Sequence, residues 1–195
     1  FKFLNQFGAD VDFNIKKLIL PKIQIGNLTG NFSNKIDNKN YKAILDISEV
    51  ELFASKHSAY AEIFGKDRNQ YLLKTNINSL DLAKTYQNFT GKNDVKGRLN
   101  FSSNITSSGN NAKEAIGNLH GKAYLGADKL HAKNLKMLND IQNTFNKIYS
   151  LAKIMKDKSK SEGGYSKNYG GASIFANFDV KQGIIHNKDL KANLP

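Results

Sequence analysis

The chain has no cysteine, no tryptophan, two prolines, and only two arginines among its 29 basic residues. Without cysteine there can be no disulfide, thiolate nucleophile, cysteine-bound zinc or iron–sulfur cluster. So little proline excludes collagen-like and proline-rich classes. With Arg68 and Arg98 as the only arginines, the bidentate forks favoured by base-reading surfaces are almost missing. No apolar run exceeds four residues, far short of the roughly 20 a membrane-spanning helix needs.

What is present points to a folded domain. The 195 residues are 39% hydrophobic and include twelve Phe and eight Tyr, enough apolar material for one domain with a core. The formal charge is +12, which raises a lysine-rich polyanion-binding or structural scaffold reading. The lysines are dispersed, however, and no basic run is longer than Lys16-Lys17. With 25 asparagines beside them, they read as a solvated surface, and no specific nucleic-acid partner is expected. The chain begins at Phe1, already in patterned sequence, and is expected to be part of a longer protein.

The first half alternates. Phe7, Ala9, Val11, Phe13 and Ile15 fall on every second position, with Gly8, Asp10, Asp12, Asn14 and Lys16 between them. That is the period of a strand with one dry face and one wet face. Leu18 and Leu20 continue it with a shift of phase, and Ile23 and Ile25 resume it after Pro21. Gly30 to Asn40, rich in Gly, Asn and Lys, reads as a turn. Tyr41, Ala43, Leu45 and Ile47 alternate again. Further strands are expected at Val50–Leu52, Ala59–Ile63, Tyr71–Thr75, Val95–Ser108 and Leu119–Ala127.

Ser79 is a plausible N-cap for a short helix carrying Leu80, Leu82 and Ala83, and Asn111 to Glu114 resembles a capping box. A long amphipathic helix is expected at about 134–156. Its stripe is Leu138, Ile141, Phe145, Ile148, Ala152 and Met155, spaced 3, 4, 3, 4, 3, and it would pack on the sheet. Residues 157–172, with two Gly pairs, read as a loop. Ile174–Val180, the tight turn Gln182-Gly183 and a partner strand from Ile184 to Leu190 form a closing hairpin. The predicted fold class is α+β, mainly β: a twisted antiparallel sheet with an apolar face or groove. Ile25–Gly30 echoes Ile116–Gly121 at five of six positions; both are expected at strand edges, and the likeness is read as chance.

Catalytic and cofactor motifs are not found. His57, His120, His131 and His186 are never three or four residues apart, so metal ligation has no support. There is no Gly-Lys-Ser/Thr and no Gly-x-Ser-x-Gly. Asp10 and Asp12 share one strand face at about 7 Å, a separation a carboxylate pair could use, but the wet face makes them solvated residues. No enzyme activity, metal or cofactor is expected.

The order of elements resembles the C-terminal region of the AsmA family of Gram-negative envelope proteins. The likeness is carried by "SLDLAKTYQNFTGKNDVKGRLNFSSNITSSG" (79–109), "AIGNLHGKAYLGADKLHAKNL" (115–135) and the closing pattern Phe178, Val180, Gly183, Asn187, Asp189 and Leu190. The resemblance implies a single module over 1–195 of a longer, membrane-anchored protein. It implies a place at the periplasmic face of the inner membrane and a non-enzymatic part in outer-membrane biogenesis. It further implies phospholipid transport between the membranes through a hydrophobic β-groove. The partners it implies are a phospholipid or other acyl-chain ligand, the remainder of the parent polypeptide and its inner-membrane anchor. Candidate groove residues are Phe7, Val11, Phe13, Tyr41, Leu45, Ile63 and Phe101.

Overall fold

A computed structural model describes residues 8–21, 23–37, 40–65, 67–132, 169–187 and 189–193. The strands are β1 (Ala9–Leu20), β2 (Ile23–Asp37), β3 (Asn40–Leu52), β4 (Ser55–Gly65), β5 (Gln70–Asp81), β6 (Val95–Ser108), β7 (His120–Ala132), β8 (Tyr169–Lys181), β9 (Ile184–Asn187) and β10 (Lys191–Asn193). All join one antiparallel sheet in which each strand from β1 to β8 pairs with the next. β9 and β10 both pair with β8, one after the other along its far edge. The sheet is therefore nine positions wide, about 38 Å at the usual strand spacing.

Short connections from β1 to β5, and from β8 to β9, leave those strands little choice but to pair with their sequence neighbours. Phe53-Ala54 joins β3 to β4 with both residues at positive φ, 52° and 63°. Gln182-Gly183 does the same for β8 and β9 at 53° and 74°. That is the hairpin geometry whose twist matches the strands, and the second turn was legible from its glycine.

Among the described residues the helices are short: α1 (Leu82–Thr90) between β5 and β6, and α2 (Ala112–Gly117) between β6 and β7. α1 packs on β5 and β6, α2 on β6. Asn111 caps α2 as the sequence predicts, accepting from the Glu114 N–H at 3.0 Å. The predicted helix at 134–156, with Leu138, Ile141, Phe145, Ile148, Ala152 and Met155, lies outside the described residues.

Four expectations need correction. Gly30–Asn40 is not a turn: β2 runs on to Asp37, because Phe32, Asn34 and Ile36 keep the alternation beneath the polar residues. The cap of α1 is Asp81, not Ser79; Asp81 accepts from the Lys84 N–H at 3.1 Å. β5 passes through Ser79 as a bulge at φ 50°, so that Leu80 can pair with Leu99. Residues 169–172 belong to β8, while 157–168 lie outside the described residues. The last predicted strand is broken into β9 and β10. The echo between Ile25–Gly30 and Ile116–Gly121 is not structural: the first lies inside β2, the second crosses the end of α2.

Among the described residues, the buried side chains larger than glycine are few: Tyr41, Ala43, Val95, Ala127, Ala172, Ala176 and Val180, with the polar Asn34, Ser55 and His57. Tyr41 and Ala43 form a small cluster with Phe32 and Ile63 packed against it.

Candidate functional site

Cross-strand partners share a face of the sheet, so the pairing register shows what each face carries. One row reads Val11, Phe32, Leu45, Ala61, Leu73, Ile105, Gly121, Val180, Ile185. It crosses all nine positions without one polar side chain. The parallel row Val50, His57, Ile77, Phe101, Leu125, Ala176 is apolar except for its histidine. Of the candidate groove residues, Val11, Phe13, Tyr41, Leu45, Ile63 and Phe101 all fall on this face; Phe7 lies outside the described residues.

Phe13 sits opposite Gly30, and the glycine is required there. A Cβ at Gly30 would press on the Asp46 carbonyl and lie 2.7 Å from the tip of the Phe13 ring.

The opposite face is mostly polar. It carries the two ion pairs of the described residues, Lys42–Glu62 and Lys56–Glu49, each at 2.9 Å. The Tyr60 hydroxyl donates to Glu62 at 2.6 Å, and the Lys74 ammonium lies 5.6 Å from the Tyr60 ring centre. The Glu62 bond pushes the Tyr60 pKa up to about 12, and the same bond with Lys42 holds Glu62 below its usual range. Asn31 donates one Nδ2 hydrogen to Asp10 and one to Asp12, both at 2.8 Å. The two carboxylates are thus tied to an amide as part of the strand pairing. A depression of about 390 Å³ at Asp12 is lined by Asn14, Asn31, Asp46 and Ser48 together with Phe13 and Gly30. No group of three or more His, Cys, Asp or Glu among the described residues could hold a metal.

Burial divides the apolar face. In the first five strands large side chains remain exposed: Val11 at 51%, Leu45 at 38% and Leu73 at 45%. On β7 and β8 the buried positions of this face are Ala127, Ala172, Ala176 and Val180, interspersed with the larger Leu125, Ile174 and Phe178. Along the strands the face ends in polar anchors. At one end the Tyr41 hydroxyl donates to Asn69 at 2.6 Å and Tyr71 to the Gly109 carbonyl at 3.0 Å. At the other, Ser55 donates to the Ser79 carbonyl at 2.9 Å, and His57 Nδ1 accepts the Asn78 N–H at 3.2 Å.

Sequence reasoning missed two parts of this face. Phe32 and Ile36 were hidden among Asn, Gly and Lys; their spacing of four, in phase with Tyr41 and Ala43 across the turn, was the available signal. The other part is the burial of His57: it is a strand residue, in β4, and only 6% exposed, which nothing in its sequence neighbourhood signals. His120, His131 and His186 are exposed.

No helix of the described residues is long and apolar enough to cross a membrane. Comparison with curated proteins and with solved structures found no match. A model of the AsmA family matches residues 1–190, nearly the whole of the chain, and the protein belongs to the AsmA family, a family of Gram-negative envelope proteins.

Proposed function

We propose that this chain is a non-enzymatic lipid-contacting module, taking acyl chains on the apolar face of its sheet. Family membership points to a role in envelope or outer-membrane biogenesis; the lipid role is our reading of the geometry. The observation that carries it is the row Val11–Phe32–Leu45–Ala61–Leu73, in which three large side chains stay exposed although every cross-strand partner in the row is apolar; the polar side chains nearby on this face, Asn34 and the hydrogen-bonded pair Thr75–Ser103, lie in the adjacent rows. Exposed apolar surface in a continuous patch marks a binding surface, and a row without a polar side chain suits an acyl chain better than a polar ligand. The periplasmic side of the inner membrane, a parent chain anchored there and phospholipid as ligand belong to the same proposal. The lysines take no part in it.

The test is native mass spectrometry of the purified chain, looking for bound phospholipid. Leu45→Asp and Leu73→Asp place a charge at exposed positions of the row. Both variants should keep the far-ultraviolet spectrum of the wild type and lose the bound lipid. If the wild type carries no lipid and takes up no apolar dye, or if Leu45→Asp unfolds the chain, the face is an ordinary core and the proposal fails.

A further inference from the structure

His57 is the one histidine of the described residues that is buried, and its surroundings depend on its protonation state. Its Nδ1 accepts the backbone N–H of Asn78 at 3.2 Å, so the neutral ring must carry its hydrogen on Nε2. That Nε2 is buried and makes no hydrogen bond of ordinary geometry. Asn78 lies within the β5 bulge, where pairing with β6 slips between Ile77 and Leu80 and Ser79 stands at φ 50°. The bulge leads directly to Asp81, the cap of α1. Its other fastenings, Ser55 Oγ and Arg98 Nη1 to the Ser79 carbonyl and Asn100 Oδ1 to the Ser79 N–H, involve no group that titrates near neutrality.

We infer that His57 is a protonation-controlled pin: neutral, it fastens the β5 bulge to β4, and on taking a proton at Nδ1 it releases the bulge. A protonated Nδ1 is a donor facing the Asn78 donor. The hydrogen bond cannot survive, and the new charge sits on an apolar face. The neighbours on that face, Val50 and Leu52 of β3, Ser55 and Ala59 of β4, Ile77 and Leu80 of β5, and Phe101 of β6, carry no charge to meet it. The charged residues nearest in register are Glu51 and its strand partner Lys56 on the opposite face, where Lys56 is ion-paired with Glu49, and Arg98, which donates to the Ser79 carbonyl. Burial accordingly lowers the His57 pKa below its ordinary 6.5, with the Leu52 carbonyl opposing. Because the unfolded chain then binds the proton more readily than the folded one, the pin's contribution is complete above about pH 6.5. It is lost as pH falls from there through the lower folded value. The inference does not depend on lipid binding.

The test follows the imidazole nitrogens and the amide exchange of the 195-residue chain by nuclear magnetic resonance from pH 8 to pH 5. His57 should show the Nε2–H form at pH 8 and titrate below 6.5. In the same step the Asn78 protection factor should fall about tenfold, the loss expected for one hydrogen bond, while the Ala176 amide in β8 stays protected. The non-titrating His57→Gln variant should show no such step at Asn78. Retained Asn78 protection through the His57 titration would overturn the inference, as would simultaneous loss at Ala176, which reports global unfolding. The wild-type comparison decides the matter even if the variant does not fold.

Discussion

The carboxylate of Asp189 accepts the backbone N–H of Asn177 at 2.8 Å and also accepts from the Asn177 side-chain amide. Asn187 completes the arrangement: its amide donates to the Asn177 carbonyl at 2.7 Å, and its Oδ1 accepts the Leu190 N–H at 3.0 Å. Asn177 lies between the stretch of β8 that pairs with β10 and the stretch that pairs with β9. Two side chains therefore replace the ladder bonds that the broken edge strand cannot supply, which explains the Asn-x-Asp spacing near the end of the chain.

Asp189→Ala should free the Asn177 amide to exchange with solvent while leaving the denaturant midpoint nearly unchanged, because the site is at the exposed edge. The asparagine bonds hold the Asp189 pKa below 3.8. A depressed carboxyl stabilises above its unfolded value and loses that effect as pH falls, so Asn177 protection should decay below about pH 4. Amide exchange across an acid series checks both outcomes.

Gly30→Ala should destabilise by about 1–3 kcal/mol, the range for overpacking a tight contact, because the added methyl meets the Asp46 backbone and the Phe13 ring. Gly26→Ala is the control. Its nearest neighbour would be the Glu51 carboxylate at 3.3 Å, the far end of a flexible side chain held, among the described residues, only by the Asn27 amide, and the cost should stay below about 1 kcal/mol. Urea midpoints of the two variants separate these cases.

The β3–β4 turn holds Phe53 and Ala54 in the left-handed region without a glycine. That conformation costs an L-residue about 1–2 kcal/mol, and glycine returns part of the gain as chain entropy. Ala54→Gly should therefore stabilise by about 0.5–1 kcal/mol, read as a higher urea midpoint with an unchanged slope.

Leu45 and Ile63 share the apolar face but not its burial. Ile63 packs on Tyr41 and Ala43, whereas Leu45 is 38% exposed. Ile63→Ala should cost about 2 kcal/mol or more as a truncation in the packed cluster, and Leu45→Ala less than about 1 kcal/mol. Equal costs in thermal or urea unfolding would mean that the face is closed throughout.

The raised Tyr60 pKa depends chiefly on its bond to Glu62. In Glu62→Gln one tyrosine should titrate closer to 10 than to about 12, visible by ultraviolet difference spectroscopy. A tyrosine with a raised folded value stabilises below its unfolded value and loses that effect as pH rises. The variant should therefore lose less stability than the wild type between pH 10 and 12.

Much of this was legible in the residues. Val11, Phe13, Leu45 and Phe101 could be placed on one face because strand side chains alternate with a period of two. The phase shift between Ile15 and Leu18 was visible too; the structure sets it opposite the irregularity at Asn27, where φ is 42°. Asn111 and Gln182-Gly183 were readable because caps and tight turns are local chemistry. The course of β2 through Gly30 was not, since its polar residues occupy the wet face of a continuous strand and resemble a loop when read in order. Nor was the Phe53-Ala54 turn, whose residues carry no turn signature.

By itself the sequence determined the strand periodicity, the apolar character of one face and the polarity of the other, and a meander held by short turns. All of these depend on residues within a few positions of one another. Only the tertiary structure decided the register, the bulges at Asn27 and Ser79 that return the alternation to its proper face, and the splice at Asn177. It alone decided that Tyr41 is 5% exposed and Leu45 38%. Register and coverage arise from contacts between residues far apart in the chain, such as Phe13 on Gly30 and Asp189 on Asn177, and no local pattern encodes which of two equally apolar residues meets a neighbour.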